Sequence, residues 1–350
     1  VTDEDLIARE NVVVTITSTG YAKRTKVDSY KAQKRGGKGV RGAELKQDDI
    51  VKNFFVCSTH DWILFFTNFG RVYRLKAYEL PEAGRAARGQ HVANLLEFQP
   101  EEKIAQVIQI QSYEDAPYLV LATQQGRVKK SRLTDYESAR SAGLIAINLN
   151  EGDALIGAQL VSEGDDILLT SEQGQAIRFT ADDDQLRPMG RATAGVKGMR
   201  FRGDDQLLSM SVVHDGEFLL VATSGGYGKR TAIEEYTTQG RGGLGVMTFK
   251  YTPKRGKLIG AISVDEDDEI FAITSAGGVI RTEVDQIRPS SRATMGLRLV
   301  NLGDDVELLA IDRNVEEDGE EDAQAVAKGE KTVDEVQQEH KAGDASKDEE

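Results

Sequence analysis

Short apolar runs alternate with glycine-centred polar turns along most of the chain, and this arrangement recurs six times. The apolar runs are VVVTI, WILFF, YLVLA, DILLT, FLLVA and EIFAI, and the turns that follow are TSTGYAKR, TNFGRVYR, TQQGRVKK, SEQGQAIR, TSGGYGKR and TSAGGVIR. The central glycines of the turns are Gly20, Gly70, Gly126, Gly174, Gly226 and Gly277. An apolar strand, a tight glycine turn and a second strand predict one β-hairpin in each repeat.

A second glycine motif follows each turn glycine after 17 to 21 residues, and it reads RGGKG, RAARG, ARSAG, RATAG, RGGLG or RATMG. Another apolar strand comes next, so each repeat of about 50 residues holds roughly four short strands. The repeats show no 3.6-residue period, which excludes a helical solenoid. The pattern predicts an all-β, six-bladed, propeller-like ring over residues 1–313, in which the glycines serve turns and tight strand connections.

Composition separates the last part of the chain from the repeats. The 350 residues carry a net charge of −14, and residues 314–350 alone hold 14 acids and 4 bases, with no Leu, Ile, Met or aromatic residue. We expect this acidic tail to be disordered because it cannot form an apolar core. Residues 1–313 then hold 40 bases and 44 acids, so the placement of the cations decides what the ring binds.

Several general features limit the class of protein. The chain begins at Val1, and we expect it to be a fragment of a longer protein. No run approaches the roughly 18 apolar residues of a membrane span. The lone cysteine, Cys57, excludes an internal disulfide framework and is interpreted as a small core residue. These features predict a cytoplasmic protein.

Basic residues recur in register with the repeats. One base lies four residues after each hairpin glycine, and an arginine lies three or four residues before each second glycine. We predict that twelve of these cations lie on a common rim, counting Arg88 beside the second motif and treating Arg35 with its own loop: Arg24, Arg74, Arg85, Arg88, Lys130, Arg140, Arg178, Arg191, Arg230, Arg241, Arg281 and Arg292. The alternative is an ordinary solvated surface.

A cationic rim of this kind suits double-stranded DNA, whose regularly spaced phosphates favour binding by counterion release. The sequence contains no recognition helix, zinc ligands or aromatic stacking signature that would read bases. Contacts to the DNA backbone would therefore fix a path for the duplex and not a sequence.

Residues 33–42, QKRGGKGVRG, carry four glycines and four cations without an acid. QKRGGKG closely resembles the box motif of the DNA gyrase A C-terminal domain, whose usual form is QRRGGKG. The six repeats and the acidic tail are similar to that family along essentially the whole chain. The matching DNA-binding positions are Gln33, Lys34, Arg35, Gly36, Gly37, Lys38 and Gly39, followed by Arg41. Lys34 departs from the usual arginine and loses its forked geometry.

The resemblance implies a six-bladed β-pinwheel that exchanges strands between blades and wraps DNA around its rim with positive handedness. Strand passage elsewhere in the enzyme, a type II topoisomerase, would turn that wrap into negative supercoils, using ATP and Mg²⁺ bound on other domains. The implied partners are double-stranded DNA, the rest of gyrase A and the gyrase B protein in an A2B2 assembly, near the bacterial nucleoid. We expect the isolated domain to be a monomer, with the box bridging its first and last blades.

A second box-like loop, QGRGGLGV, occupies the fifth repeat, where Leu244 replaces the position of Lys38. It is either a secondary DNA contact or a purely structural loop. The residues concerned are Gln239, Arg241, Gly242, Gly243 and Gly245.

No residue pattern supports catalysis, a metal site or a cofactor within this chain. The four histidines show no metal-ligand spacing, and DEDDE at 265–269 lacks the glycine and glutamate of a calcium loop, so we expect it to be a turn. Two other functions stay open. One is the equivalent domain of topoisomerase IV, which the intact box disfavours, and the other is a protein-binding propeller of the WD-repeat kind.

Overall fold

Twenty-three strands form six antiparallel sheets in the computed structural model, which describes residues 2–32, 49–139 and 141–342. The strands of the first three repeats are β1 (Asn11–Thr17), β2 (Tyr21–Lys26), β3 (Val51–Ser58), β4 (Trp62–Thr67), β5 (Arg71–Lys76), β6 (Gln90–His91), β7 (Ile104–Ile110), β8 (Tyr118–Thr123), β9 (Arg127–Arg132), β10 (Leu144–Ile145) and β11 (Leu155–Val161). The strands of the last three are β12 (Asp166–Ser171), β13 (Gln175–Thr180), β14 (Val196–Lys197), β15 (Leu207–Val212), β16 (Phe218–Thr223), β17 (Tyr227–Ala232), β18 (Val246–Met247), β19 (Leu258–Val264), β20 (Glu269–Thr274), β21 (Val279–Glu283), β22 (Leu297–Arg298) and β23 (Leu308–Arg313).

Each sheet is one blade, and the blades exchange strands as the resemblance implies. The sheet orders are β3-β1-β2-β6, β7-β4-β5-β10, β11-β8-β9-β14, β15-β12-β13-β18, β19-β16-β17-β22 and, among the described residues, β23-β20-β21. The hairpin of a repeat forms the middle of its blade, and the fourth, two-residue strand comes from the following repeat. The predicted six-bladed, all-β ring is therefore confirmed.

The glycine turns close the hairpins for the expected reason. Gly20 has a φ of 97°, a backbone conformation that is unfavourable for residues with a Cβ atom and accessible to glycine. Its N–H donates to the Thr17 carbonyl at 3.0 Å. The Thr17 hydroxyl accepts from the Tyr21 N–H at 3.1 Å, so the recurrent Thr or Ser ends the strand. In the second blade the Thr67 hydroxyl instead donates to the Glu102 carboxylate at 2.6 Å.

The core lies between successive blades. Five clusters join the first blade to the second, the second to the third, and so on to the sixth, and Cys57 lies in the first of them, fully buried as predicted. Strands β7, β11, β15, β19 and β23 lie side by side from blade to blade, which places the two-residue strands at the opposite, outer end of the first five sheets.

The prediction of a disordered tail over residues 314–350 is wrong for most of its length. Two helices, α1 (Glu316–Ala327) and α2 (Val333–Ala342), pack against the first blade. Small aliphatic side chains supply the contact: Ala323, Val326, Val333 and Val336 pack with Val13, Val27, Tyr30 and Val56. The tail thus shares a small apolar core with the ring, although residues 343–350 lie outside the described part.

The described helices are too short and too polar to cross a membrane. Residues 265–268 form the predicted tight turn between β19 and β20, where the Asp265 N–H donates to the Asp268 carboxylate at 2.7 Å.

Candidate DNA interface

A loop from the next repeat covers the outer end of each of the first five blades, and we call these five described segments the outer loops: 85–89, 141–143, 191–195, 241–245 and 292–296. Each ends at the second glycine of its repeat and runs into the two-residue strand. Gly245 shows why glycine is needed, since its φ is 72° and an added Cβ would lie 2.2 Å from the Ala176 carbonyl oxygen. The loops therefore lie directly on the second hairpin strand of the preceding blade, as Gly245 does on β13.

Loop arginines link neighbouring outer loops to one another. The guanidinium of Arg292 donates to the Met247 carbonyl at 2.9 Å, and Met247 ends the two-residue strand of the preceding repeat. Arg241 binds the carbonyl of Lys197 in the same way, and Arg191 binds that of Ile145. These three predicted rim arginines are half-buried. Each donates to a backbone carbonyl of the preceding repeat, and this structural contact is enough to account for an arginine at the same position of each of these repeats.

Arg85 and Arg88 lie on aromatic rings beside the first blade. The Arg85 guanidinium stacks over Tyr30 at 4.4 Å and pairs with Glu320 of α1 at 3.3 Å. That of Arg88 stacks over Tyr21 at 3.6 Å. The acidic tail therefore contacts one of the predicted rim cations directly.

The prediction of rim contacts is wrong for Lys130 and Arg230, which are only 0% and 2% exposed. The Lys130 ammonium donates to the Ala181 carbonyl at 2.9 Å, and Arg230 donates to the Ile287 carbonyl. Both side chains also lie over an aromatic ring of their own blade. A segment of the next repeat covers them, so neither cation reaches a phosphate in this structure.

The equivalent bases of the other blades are also held by protein groups. Arg24 donates to the Tyr78 carbonyl at 3.0 Å. Arg74 stacks on Trp62 at 3.8 Å, and Arg178 pairs with Asp166 at 2.7 Å. Arg281 lies 3.6 Å from Glu269. Their main visible role is to hold the strands and crossing segments of the blades together.

The second box-like loop is held by its backbone. The Gln239 N–H donates to the Arg178 carbonyl at 2.7 Å, and the Gly242 N–H to the Gly198 carbonyl at 2.9 Å. The Gly243 carbonyl accepts from the Arg200 N–H at 2.8 Å. The loop is a half-exposed continuation of the outer loops, with glycines at positive φ at 242 and 245. The first box, residues 33–39 with Arg41, and also Arg140 lie outside the described residues, so their predicted roles stay predictions.

Exposed cations occur at positions that the sequence pattern did not single out. They lie in or beside the two-residue strands and in two Arg-Pro turns, and they are Arg187, Lys197, Arg200, Lys250, Arg288 and Arg298. Arg200 and Lys250 both come four residues after the first residue of a two-residue strand, and their N–H groups bind the adjacent outer loop. A base five residues after the second glycine, as at Arg200 and Lys250, is the sequence feature from which these cations could have been predicted.

These features define a six-bladed β-propeller with exchanged outer strands and a loop-covered, cation-bearing outer end. The family model of the DNA gyrase C-terminal domain, beta-propeller, matches residues 11–58, 61–111, 117–162, 165–214, 217–265 and 268–314. The chain belongs to this family.

Known proteins agree with the family assignment. The DNA gyrase A protein of Mycobacterium tuberculosis is 68% identical over 323 residues, covering 92% of this chain and 38% of that protein. The chain thus spans about two fifths of that relative's length. A solved DNA gyrase A C-terminal domain matches at 28% identity and a TM-score of 0.66, covering 87% of this chain and 100% of that chain. A solved C-terminal domain of DNA topoisomerase IV matches at 28% identity and a TM-score of 0.82, covering 93% and 99%.

Proposed function

We propose that this domain binds, bends and wraps double-stranded DNA along the outer ends of its blades, without reading sequence. The observation that carries the proposal is the repetition of the outer loops, which sets cations at the same place on successive blades. Phosphates repeat along a duplex, so a repeated array of cations favours contacts to the backbone.

Bending requires several blades to act together. Bending 20–30 base pairs by 40–90° costs on the order of 1–6 kcal/mol, which one surface patch does not offset. The exposed Lys197, Arg200, Lys250 and Arg298 belong to three successive short strands or their flanks, from the third blade to the fifth. Such a curved series of contacts would impose its curvature on the DNA.

In the whole protein, the wrap would direct strand passage so that negative supercoils are introduced. The chain would act within a gyrase A2B2 assembly of bacterial cytoplasm and nucleoid, while ATP and Mg²⁺ would bind elsewhere in that assembly. We further propose that the isolated domain is a monomer and contributes no catalytic residue. What supports the assembly is the family membership and the match to one part of gyrase A.

The domain of topoisomerase IV is the second candidate, because one such structure superimposes with a TM-score of 0.82. The 68% identity to a gyrase A protein and the intact QKRGGKG favour gyrase. Duplex binding measured with and without Lys34, Arg35 and Lys38 separates the two functions, since the box that carries these cations is the feature that favours gyrase.

DNA affinity should fall steeply with salt. If about ten phosphates are neutralised, the logarithm of the association constant should fall with that of the salt concentration at a slope near −9. Titrating a fluorescent duplex of about 40 base pairs between about 50 and 300 mM salt measures this slope. A scrambled duplex of equal length is the control and should bind equally.

A slope near −2, or a strong preference for one of the two duplexes, would contradict rim wrapping. Either result would favour a few local contacts or base reading.

A further inference from the structure

Three lysines are buried at the outer ends of alternate blades, where lysine is seldom found. Lys23, Lys129 and Lys229 each lie three residues after the hairpin glycine of their repeat, and they are 3%, 0% and 2% exposed. The fold itself does not need lysine there. The same position holds Tyr73, Ile177 and Ile280 in the other three repeats.

The three ammonium groups share one target, the backbone of the outer loop that crosses above them. The Lys229 Nζ donates to the carbonyls of Ser291 at 2.8 Å, Arg292 at 2.6 Å and Thr294 at 3.0 Å. Lys23 makes the equivalent three contacts in the first blade, to Gly84 at 2.8 Å, Arg85 at 2.8 Å and Ala87 at 2.7 Å. An ammonium has three donors, so both are fully used.

Lys129 follows the pattern with two carbonyls, those of Arg191 and Ala146. In all three cases the lysine therefore binds the carbonyl oxygen of the loop arginine itself. Hydrogen bonds from a charged donor are roughly twice as strong as neutral ones, so the ammonium fixes the backbone from which that arginine side chain departs.

The outer loops fall into two classes that match the residue beneath them. The three lysine-bound loops read RAARG, RATAG and RATMG, whereas the others read RGGKG, ARSAG and RGGLG. Among the described loops of the second class, 141–143 lies against the Tyr73 ring and 241–245 against Ile177. Alternate described loops thus lie either over an ammonium clamp or over an aromatic or aliphatic side chain that donates no hydrogen bond to the loop carbonyls.

We propose that Lys23, Lys129 and Lys229 are positioning residues for DNA wrapping, which clamp alternate outer loops and so fix the backbone from which Arg85, Arg191 and Arg292 project. This inference rests on the proposed function. The clamps act through the loop arginines and do not themselves contact DNA, because they are buried beneath the loops.

Protonation of the clamps gives the proposal a pH signature. Burial lowers the pKa of Lys23 and of Lys229 to about 8. Burial and the nearby Arg191 lower the pKa of Lys129 to about 7, and Asp135 opposes this change. Nearby charges have smaller effects on the pKa of the other two lysines. Glu316 raises and Arg85 lowers the pKa of Lys23, and Glu235 raises and Arg292 lowers that of Lys229.

The carbonyl contacts favour the charged ammonium, whereas burial favours the neutral amine. Whichever of the two dominates, the lysine loses its charge as pH rises. Because each folded-state pKa lies below that of a free lysine, the clamp is charged at lower pH and is lost as pH rises through about 7 to 8. Arginines remain charged throughout this range. We expect DNA affinity at fixed salt to fall over this interval.

The test is a double-mutant cycle in the full chain, read by duplex affinity at low salt and by circular dichroism for folding. Lys229→Met keeps the approximate length of the side chain and removes the ammonium that donates to the loop carbonyls. Arg292→Gln removes the positive charge of the loop arginine. Each should weaken binding about threefold to tenfold, and the double variant should bind about as weakly as the worse single variant. Lys257→Met, an exposed lysine outside the outer loops, is the matched control and should change affinity less than twofold.

Additive losses in a folded protein, or a loss for Lys229→Met no larger than that for Lys257→Met, would overturn the proposal. If Lys229→Met fails to fold, the equivalent cycle of Lys129→Met and Arg191→Gln decides, and additive losses in that cycle would equally overturn the proposal. A chain that binds no DNA at all would instead refute the proposed function and is recognised before any variant is made.

Discussion

Replacing the box residues QKRGGKG by alanines should abolish negative supercoiling by the reassembled enzyme and leave DNA relaxation and cleavage intact. The change removes Lys34, Arg35 and Lys38, which are three cations of a distributed set. Binding of a short duplex should therefore weaken only partly. A wrap, in contrast, requires the DNA path to continue around the ring, so a gap at one position interrupts it. Supercoiling, relaxation and cleavage assays with the same preparation measure the three activities.

The second box-like loop offers a matched control. Replacing the equivalent residues of QGRGGLG, from Gln239 to Gly245, removes one cation and disturbs a loop that is held by backbone hydrogen bonds. We expect a smaller loss of supercoiling than for the first box. Equal loss of all three activities in the first-box variant would contradict its role in wrapping and indicate misfolding or a role at the cleavage site.

Ending the chain after Arg313 should tighten DNA binding at low salt. The deleted residues carry 14 acids and 4 bases, and α1 holds Glu320 against Arg85 and packs on the first blade. A tethered polyanion competes at an effective concentration on the order of millimolar. We expect affinity to rise about threefold to tenfold at about 50 mM salt and the two chains to converge at about 300 mM, because salt screens the competition.

Two further variants separate docking from charge. Deleting residues 343–350 alone removes four acids and one lysine and leaves α1 and α2 in place, so it should have a smaller effect. Val326→Ser combined with Val336→Ser keeps the charge and removes apolar contacts to the ring, so its affinity should lie between those of the full and shortened chains. Identical affinity of the full and shortened chains at every salt concentration would show that the tail does not compete with DNA.

The hairpins and turns could be predicted from sequence because a positive φ restricts the residue strongly. Gly20 and its equivalents, with Thr17 and its equivalents three residues before, therefore recur visibly. The exchange of strands could not be worked out from spacing, since a two-residue strand such as Gln90–His91 has no pattern of its own. It followed only from the resemblance.

The candidate interface was predicted less well, because a sequence does not show what covers a strand. Lys130 and Arg230 occupy regular positions, yet segments of the next repeat bury them. The clamping lysines were visible three residues after the hairpin glycine, but they were not distinguished from the neighbouring bases.

The tail was predicted wrongly because the absence of large apolar residues was taken as the absence of a core. Ala323, Val326, Val333 and Val336 are spaced by three, seven and three residues, which fits one face of helical segments. Small side chains suffice there because the blade supplies Tyr30 and other large partners.

DNA wrapping by this domain is tested most directly by closing a relaxed, nicked plasmid with ligase in its presence. After the protein is removed, gel electrophoresis reports any change in linking number that the bound protein had constrained. Wrapping predicts a shift of one sign, towards positive writhe, that grows with the ratio of protein to DNA and fades at high salt. An unchanged topoisomer distribution, at protein concentrations where a gel-shift assay shows the same plasmid fully bound, would contradict it.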